Sequence, residues 1–317
     1  MHASAHSPAG AANIAAVRQC TKCGATVELH GTALSTLCSY CESPLVDVQR
    51  AESRLDRVAP FRLVRATAEA KLRSYLRGKF WAPRAVKALS VDPDKLRGVL
   101  VPHWSLRGVV RSRYEAKVGI HWYRTETYTD SDGNTRTRRK RETEWFDLKG
   151  TAARQVEDHL VSASIGLEEA ESNALEPFDL GWAVTYDPRF LSGFEAEIPS
   201  IARGRATNTA TVELREHEVQ RIAAELLPGD ENRLERCWSE VDVEQYNIVL
   251  LPVWIGTFTH KDKVLRLQVN GQTGKCVGQV PVSKVKVAVA IILAILAVTA
   301  LILYFVFAND PAPEIPG

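Results

Sequence analysis

Residues 20–41 read CTKCGATVELHGTALSTLCSYC. The four cysteines, Cys20, Cys23, Cys38 and Cys41, follow the pattern C-x2-C-x14-C-x2-C. Two such pairs fit one tetrahedral zinc site better than a disulfide framework, because each pair forms a tight knuckle that aims two thiolates at one ion. Gly24, directly after Cys23, suits the knuckle turn, where a Cβ crowds the backbone. Residues 25–37 are expected to supply a short hairpin (25–29, then Gly31) that brings the pairs together. With sulfur at all four positions no place is left for water, so the expected Zn2+ is structural and not catalytic. Cys237 and Cys276 stand alone and read as small buried side chains.

Residues 1–19, ahead of this zinc ribbon (20–50), are rich in Ala, Ser and Gly and hold no continuous apolar stretch. They read as a disordered leader and not as a secretory signal. Thiolates kept for zinc belong in a reducing compartment. At the other end, 287–308 reads VAVAIILAILAVTALILYFVFA, 22 residues without a charge. A helix needs about 20 such residues to cross a bilayer. A buried core helix that is apolar on every face is the poorer alternative. Tyr304 and Phe305 sit near one boundary, where aromatic rings favour the interface. Lys284 and Lys286 precede the span, whereas the tail 309–317 carries Asp310 and Glu314 and no Lys or Arg. The positive-inside rule then expects the N-terminal body in the cytoplasm and a short external tail.

Between ribbon and anchor lies a body at 55–283, of ordinary composition. The whole chain of 317 residues is 45% hydrophobic and 25% charged, and its net charge of +2 gives no global push toward nucleic acid. Helical spacing predicts helices over 65–80 and around 86–89, separated by Trp81-Ala82-Pro83. Another is predicted over 211–227, with Val212, Val219, Ile222, Ala223 and Leu226 as its apolar face and Pro228-Gly229 as its stop. Residues 150–175 read as a connector with helical character. Alternation predicts a hairpin of 123–129 and 135–146 around a turn at 130–134, a strand over 243–258, and a last hairpin of 264–269 and 275–280. Two apolar runs, GVLVPHW at 98–104 and IVLLPVW at 248–254, end alike and point to two related β-units at 96–150 and 243–280. The expected fold class is α+β: an N-terminal ribbon, a mixed β-rich body with helices, and one C-terminal transmembrane helix.

The strand after the 130–134 turn carries Arg136, Arg138, Arg139, Lys140 and Arg141. Alternation puts Arg136, Arg138 and Lys140 on one face and Arg139 and Arg141 on the other, as in an arm projecting into solvent. Charged side chains also guard an edge against aggregation. The sharper readings are contact with anionic lipid or with nucleic acid, of which lipid fits a tethered protein better. No GxSxG elbow, HExxH, phosphate loop or GxGxxG stands in the chain, so no enzyme is expected. His103 and His121 read as core histidines, and Glu168, Glu169 and Glu171 as a solvated acidic face.

In order, the chain shows CTKCG at 20–24, FWAP at 80–83, LRGVLVPHW at 96–104, TETYTDSDG at 125–133, YDPRFLSGF at 186–194, LPVW at 251–254 and VNGQTGK at 269–275. This series resembles a bacterial family of zinc-ribbon membrane proteins, often labelled primosomal-helicase-like, although no helicase motor is visible. The resemblance covers nearly the whole chain after residue 19. His103 departs from it, since the family more often has an aromatic residue there. The resemblance implies association with SPFH-type (stomatin/prohibitin/flotillin) and phage-shock-protein-A-like proteins in envelope stress, at the bacterial inner membrane. The expected function is a membrane-anchored scaffold or adaptor that recruits cytosolic partner proteins. The alternative is a membrane-tethered nucleic-acid binder using the ribbon and the basic hairpin.

Overall fold

The computed structural model describes residues 16–20, 22–29, 33–39, 41, 43–46, 55–87, 96–129, 131, 133–191, 193–260 and 263–308. Residues 1–15 of the expected leader, the tail 309–317, Asp130 and Asp132 of the predicted turn, and positions 88–89 of the second predicted helix lie outside them, whereas 16–19, expected in the disordered leader, form a paired strand. The fold is mixed α+β, with one large sheet. The chain divides into two compact units. One takes the described residues up to Pro60 together with Val99–Ala174 and Phe178–Pro252; the other takes Phe61–Gly98, Leu175–Pro177 and the chain from Val253.

The first unit begins with two small hairpins. Strands β1 (Ala16–Gln19) and β2 (Thr26–Leu29) pair antiparallel, as do β3 (Ala33–Leu37) and β4 (Pro44–Val46). Each pair of cysteines therefore occupies the tip of its own hairpin. This corrects the expectation of a single hairpin supplied by 25–37 between them, since β2 pairs with β1 and β3 with β4. Next come β5 (Arg57–Val58), β6 (Leu96–Thr129) and β7 (Thr135–Ser162), and later β8 (Val184–Thr185), β9 (Glu195–Glu197) and β10 (Glu231–His260). In the sheet, β10, β6, β9, β3 and β4 are neighbours in that order. The cysteine hairpin is thus joined to the body: β3 pairs with β9, β9 runs parallel to β6 at Val99–Leu100, and the buried Ser35 hydroxyl donates to the Phe194 carbonyl at 2.7 Å.

The hairpin predicted around residue 130 is the tip of an arm made by β6 and β7, whose register runs from His103↔Ser162 to Thr129↔Thr135. Strand β7 therefore occupies half of the segment read as a connector, 150–162. Only 169–175 of that segment is helical, as α3 (Glu169–Leu175). The arm bends where the register shifts between Leu106 and Gly108, opposite a bulge at which Asp158 takes φ +50°. The bulge turns the Asp158 carboxylate toward the Ser105 hydroxyl, 2.7 Å away, and Arg57, 3.4 Å away.

Helix α4 (Arg203–Arg221) lies along the arm, continued by a π-turn at Ile222–Leu226. Its buried positions are Ala206, Ala210, Leu214 and Glu218; of the predicted face only Ile222 is buried, whereas Val212, Val219, Ala223 and Leu226 are exposed. Two alanines four residues apart let the helix approach the sheet closely, a reason that hydropathy does not register. Leu106 and Val161 pack on Ala206 and Ala210; Val110 and Val156 pack on Leu214; Tyr114, Ala116 and Val118 pack on Ile222 and Leu227.

The second unit holds α1 (Arg65–Gly78), α2 (Arg84–Lys87), the end of β10, β11 (Lys263–Asn270), β12 (Cys276–Gly278) and α5 (Lys284–Ala308). The residues from Val253 pair antiparallel with β11, and β11 with β12. Helix α1 buries Ala68, Leu72 and Leu76. The predicted Asn270-Gly271 turn is built on a buried Asn270, whose Oδ1 accepts from Gln272 N (2.8 Å) and Thr273 N (2.9 Å). Its Nδ2 donates to the Leu175 and Pro177 carbonyls. Helix α5 is long and apolar enough to cross a membrane, and its apolar side chains are exposed.

Candidate functional site

The two hairpin tips bring Cys20, Cys23, Cys38 and Cys41 together, with all four sulfurs within 4.8 Å of one another. At the first tip Gly24 N donates to Cys20 O and Cys20 N to Ala25 O, both at 2.8 Å; Gly24 takes φ +75°, which glycine adopts without strain. At the second, Cys38 N donates to Ser43 O at 2.9 Å. Sulfurs Cys20–Cys41 and Cys23–Cys38 stand 3.6 Å apart. That is far beyond a disulfide bond of about 2.05 Å. Four thiolates about 2.3 Å from a tetrahedral ion would stand about 3.8 Å apart. The donor set therefore fits a metal ion that prefers sulfur, with all four positions taken by protein.

The surroundings favour the thiolate at two of the four cysteines, whereas crowding by the neighbouring sulfurs and burial push the Cys23 thiol up to about 12. The Ser43 hydroxyl lies 3.0 Å from both Cys20 and Cys41. That contact, aided by backbone N–H groups, holds the Cys20 thiol down to about 6 and the Cys41 thiol below its usual value. Cys20 and Cys38 are buried against Leu45, with Ala25 and Val27 alongside. Cys237 and Cys276 are half-buried and lie apart from the cluster.

The predicted basic residues sit on the exposed tip of the arm. Of the five, Arg138 and Lys140 are ion-paired there. Glu126 receives Arg124 at 2.6 Å, Arg138 at 3.2 Å and Lys140 at 3.7 Å, and Lys140 lies 3.1 Å from Glu142. Arg124 above all holds the Glu126 carboxyl below the ordinary range. Arg138 and Arg139 cover the rings of Tyr128 and Tyr123. From Tyr123 to Trp145 the sequence has six basic and five acidic residues, so the arm carries mixed charge and not a cationic patch.

A further feature escaped the sequence reading. The row of side chains that α4 covers, ending at Val118, continues beyond the helix as exposed Ile120 and Trp122, with Phe146 paired opposite Val118. Hydropathy alone gave no signal, because it was the end of α4 that uncovered these residues.

The histidines are accounted for as structure. His103 is buried, its Nδ1 donating to the Val101 carbonyl (3.1 Å) and its Nε2 accepting from Ser172 Oγ (2.8 Å). This is the geometry of a nucleophile and its base, but both residues are 1% exposed. His121 meets Glu231, and His159 meets Glu213. Glu169, expected on a solvated face, turns inward to accept from Ser162 N at 3.0 Å.

No family model matches the chain, and no solved structure matches it. The chain is 26% identical over 246 residues to "Uncharacterized protein YdjG" of Bacillus subtilis (strain 168). The match covers 73% of this chain and 65% of YdjG, so the chain spans just under two thirds of that relative's length.

Proposed function

We propose that this protein is a membrane-anchored, non-enzymatic scaffold, held by α5 in a bacterial inner membrane with its body in the cytoplasm. The cysteine cluster would carry a structural Zn2+ that fixes the two N-terminal hairpins. The observation that carries the reading is the uncovered stripe of Ile120, Trp122 and Phe146 at the end of the arm. Aromatic residues beside arginine are what protein interfaces concentrate. The stripe continues a layer that a helix of this chain already covers, so a partner's amphipathic helix would extend α4's packing. Mixed charge around it (Arg124, Glu126, Lys140, Glu142) suits a protein partner better than the uniformly negative surface of nucleic acid. SPFH-type or phage-shock-protein-A-like proteins, implied by the family resemblance, are the partners to look for. The shared endings of the 98–104 and 248–254 runs are the ground for reading them as related units, and both tryptophan ring N–H groups donate to backbone carbonyls, of Ile201 and Leu63.

The test is photo-crosslinking in cells from position 144, next to the stripe, in the native sequence and in I120S/W122S/F146S. An SPFH- or coat-type protein captured by the first and lost from the second supports the scaffold. Equal capture by both removes the stripe from the proposal. Turnover of a substrate by the purified protein, abolished by one pocket substitution, ends the non-enzymatic reading.

A further inference from the structure

Residues 71–87 read KLRSYLRGKFWAPRAVK, with six lysines and arginines and no acidic residue. Helix α1 ends within this stretch, and the turn after it exposes Phe80 (69%) and Trp81 (43%), their rings edge to face at 5.1 Å. Their exposure is directional and not a packing failure, since Ala82 and Val86 beside them are buried. The turn is fastened to the foot of α5. Ser283 N donates to the Trp81 carbonyl at 2.8 Å, and the Lys286 ammonium donates to the Phe80 and Ala82 carbonyls, each at 2.8 Å. Exposed Val282 and Val285 flank the same foot. The charge-free run starts at Val287, one residue after that lysine.

Resting on the reading of α5 as a membrane span, we infer that the Phe80–Trp81 turn is a second membrane contact. Three hydrogen bonds hold the turn at the level where the span enters the bilayer. Aromatic rings at that depth sit at the boundary between headgroups and acyl chains. Arg77, Lys79 and Arg84 flank the rings and are exposed, so they meet the phosphates of an anionic leaflet, where each cation is attracted and no carboxylate of the stretch opposes it. The occupant is the lipid surface itself. A binding site for free phosphate would need cations converging on one point, whereas here they border an apolar pair. The consequence is that the second unit is held to the leaflet at two places, which restricts rotation about the α5 foot.

The test uses the full chain reconstituted into vesicles of phosphatidylcholine and phosphatidylglycerol whose acyl chains are brominated near the carbonyl. Tryptophan emission is compared for the native protein, W81F and R77E/K79E/R84E, and alkaline extraction is run on each sample. The expected result is that W81F loses most of the emission that brominated lipid can quench, because no other tryptophan stands in 71–87 or in the span. The charge-reversed variant should drop, in anionic vesicles, to the level of the native protein in pure phosphatidylcholine. Equal quenching of the native protein and W81F, with all samples resisting extraction, overturns this inference and leaves the span intact. Release of the native protein by alkali overturns the span and this inference with it.

Discussion

His103 Nε2 lies 2.8 Å from Ser172 Oγ, and neither residue meets solvent. The imidazole is buried among apolar neighbours, so desolvation pushes its pKa down to about 4; the Val101 carbonyl, which favours the proton, offsets only part of this. The folded protein therefore keeps His103 neutral in a range where the unfolded chain would protonate it.

Stability should fall with pH as a result. The depressed folded value means that His103's contribution is complete above about 6.5 and is lost as pH falls toward 4. Between pH 7 and pH 5 the loss from this group is about 2 kcal/mol. Urea denaturation of the native protein and of H103Q across that range should show a flatter pH dependence for the variant. Identical slopes would mean that His103 is not the group responsible.

The bend of the arm rests on another close approach. A Cβ placed on Gly108 would collide with the carbonyl of Asp242 on the neighbouring strand, a backbone atom that cannot swing aside. G108A should destabilise the protein by about 1–3 kcal/mol, the usual range for overpacking. Gly78 has open space around it, so G78A serves as the control and should change stability by less than about 1 kcal/mol. Equal denaturation midpoints for both variants would show that β10 can move away from β6.

The two ends of the chain were legible because their chemistry is local. Cysteine spacing and a charge-free run carry their meaning without tertiary context. Helix α1 and the Asn270-Gly271 turn were also plain, the first from its period and the second from side-chain chemistry. The packing of the arm was not. Strand β7 hides its period because the bulge at Asp158 resets the phase, leaving Val156 and Leu214 in one cluster and Leu160 and Val249 in another. Helix α4 hides its buried face behind Ala206, Ala210 and Glu218, which no hydropathy pattern selects. The stripe at Ile120 and Trp122 becomes visible only when the end of that helix is placed.

Glu218 is the most consequential of these hidden positions. It is fully buried, yet its carboxylate is held below the ordinary range. Burial works against ionisation, but Arg221 at 2.6 Å and Arg154 at 3.3 Å outweigh it. E218A should leave both guanidinium groups without their anion and destabilise the protein by about 3–5 kcal/mol, the range for breaking a buried pair. E218M keeps the volume and should be as damaging, since the cations remain. E218M/R154M/R221M should recover part of the loss, and a triple variant no more stable than E218M would show that the charges are not what couples these residues.

The cysteine cluster gives a prediction that reaches beyond its own hairpins. The purified protein should contain one zinc ion per chain, measured by elemental mass spectrometry, and C38S should contain none. Ser43 touches two of the four cysteines, so S43A should retain zinc but bind it about tenfold more weakly, as loss of a supporting contact does. Because β3 pairs with β9 and β9 with β6, loosening of the cysteine hairpin should be felt in the large sheet. Hydrogen exchange after zinc removal should therefore rise at Ala33–Leu37 and also at Glu195–Glu197, while α1 and β11 in the second unit stay protected. Exchange confined to β1 and β2 would show that the β3–β9 pairing stands without the ion, and zinc retained by C38S would mean that this cysteine is not a ligand.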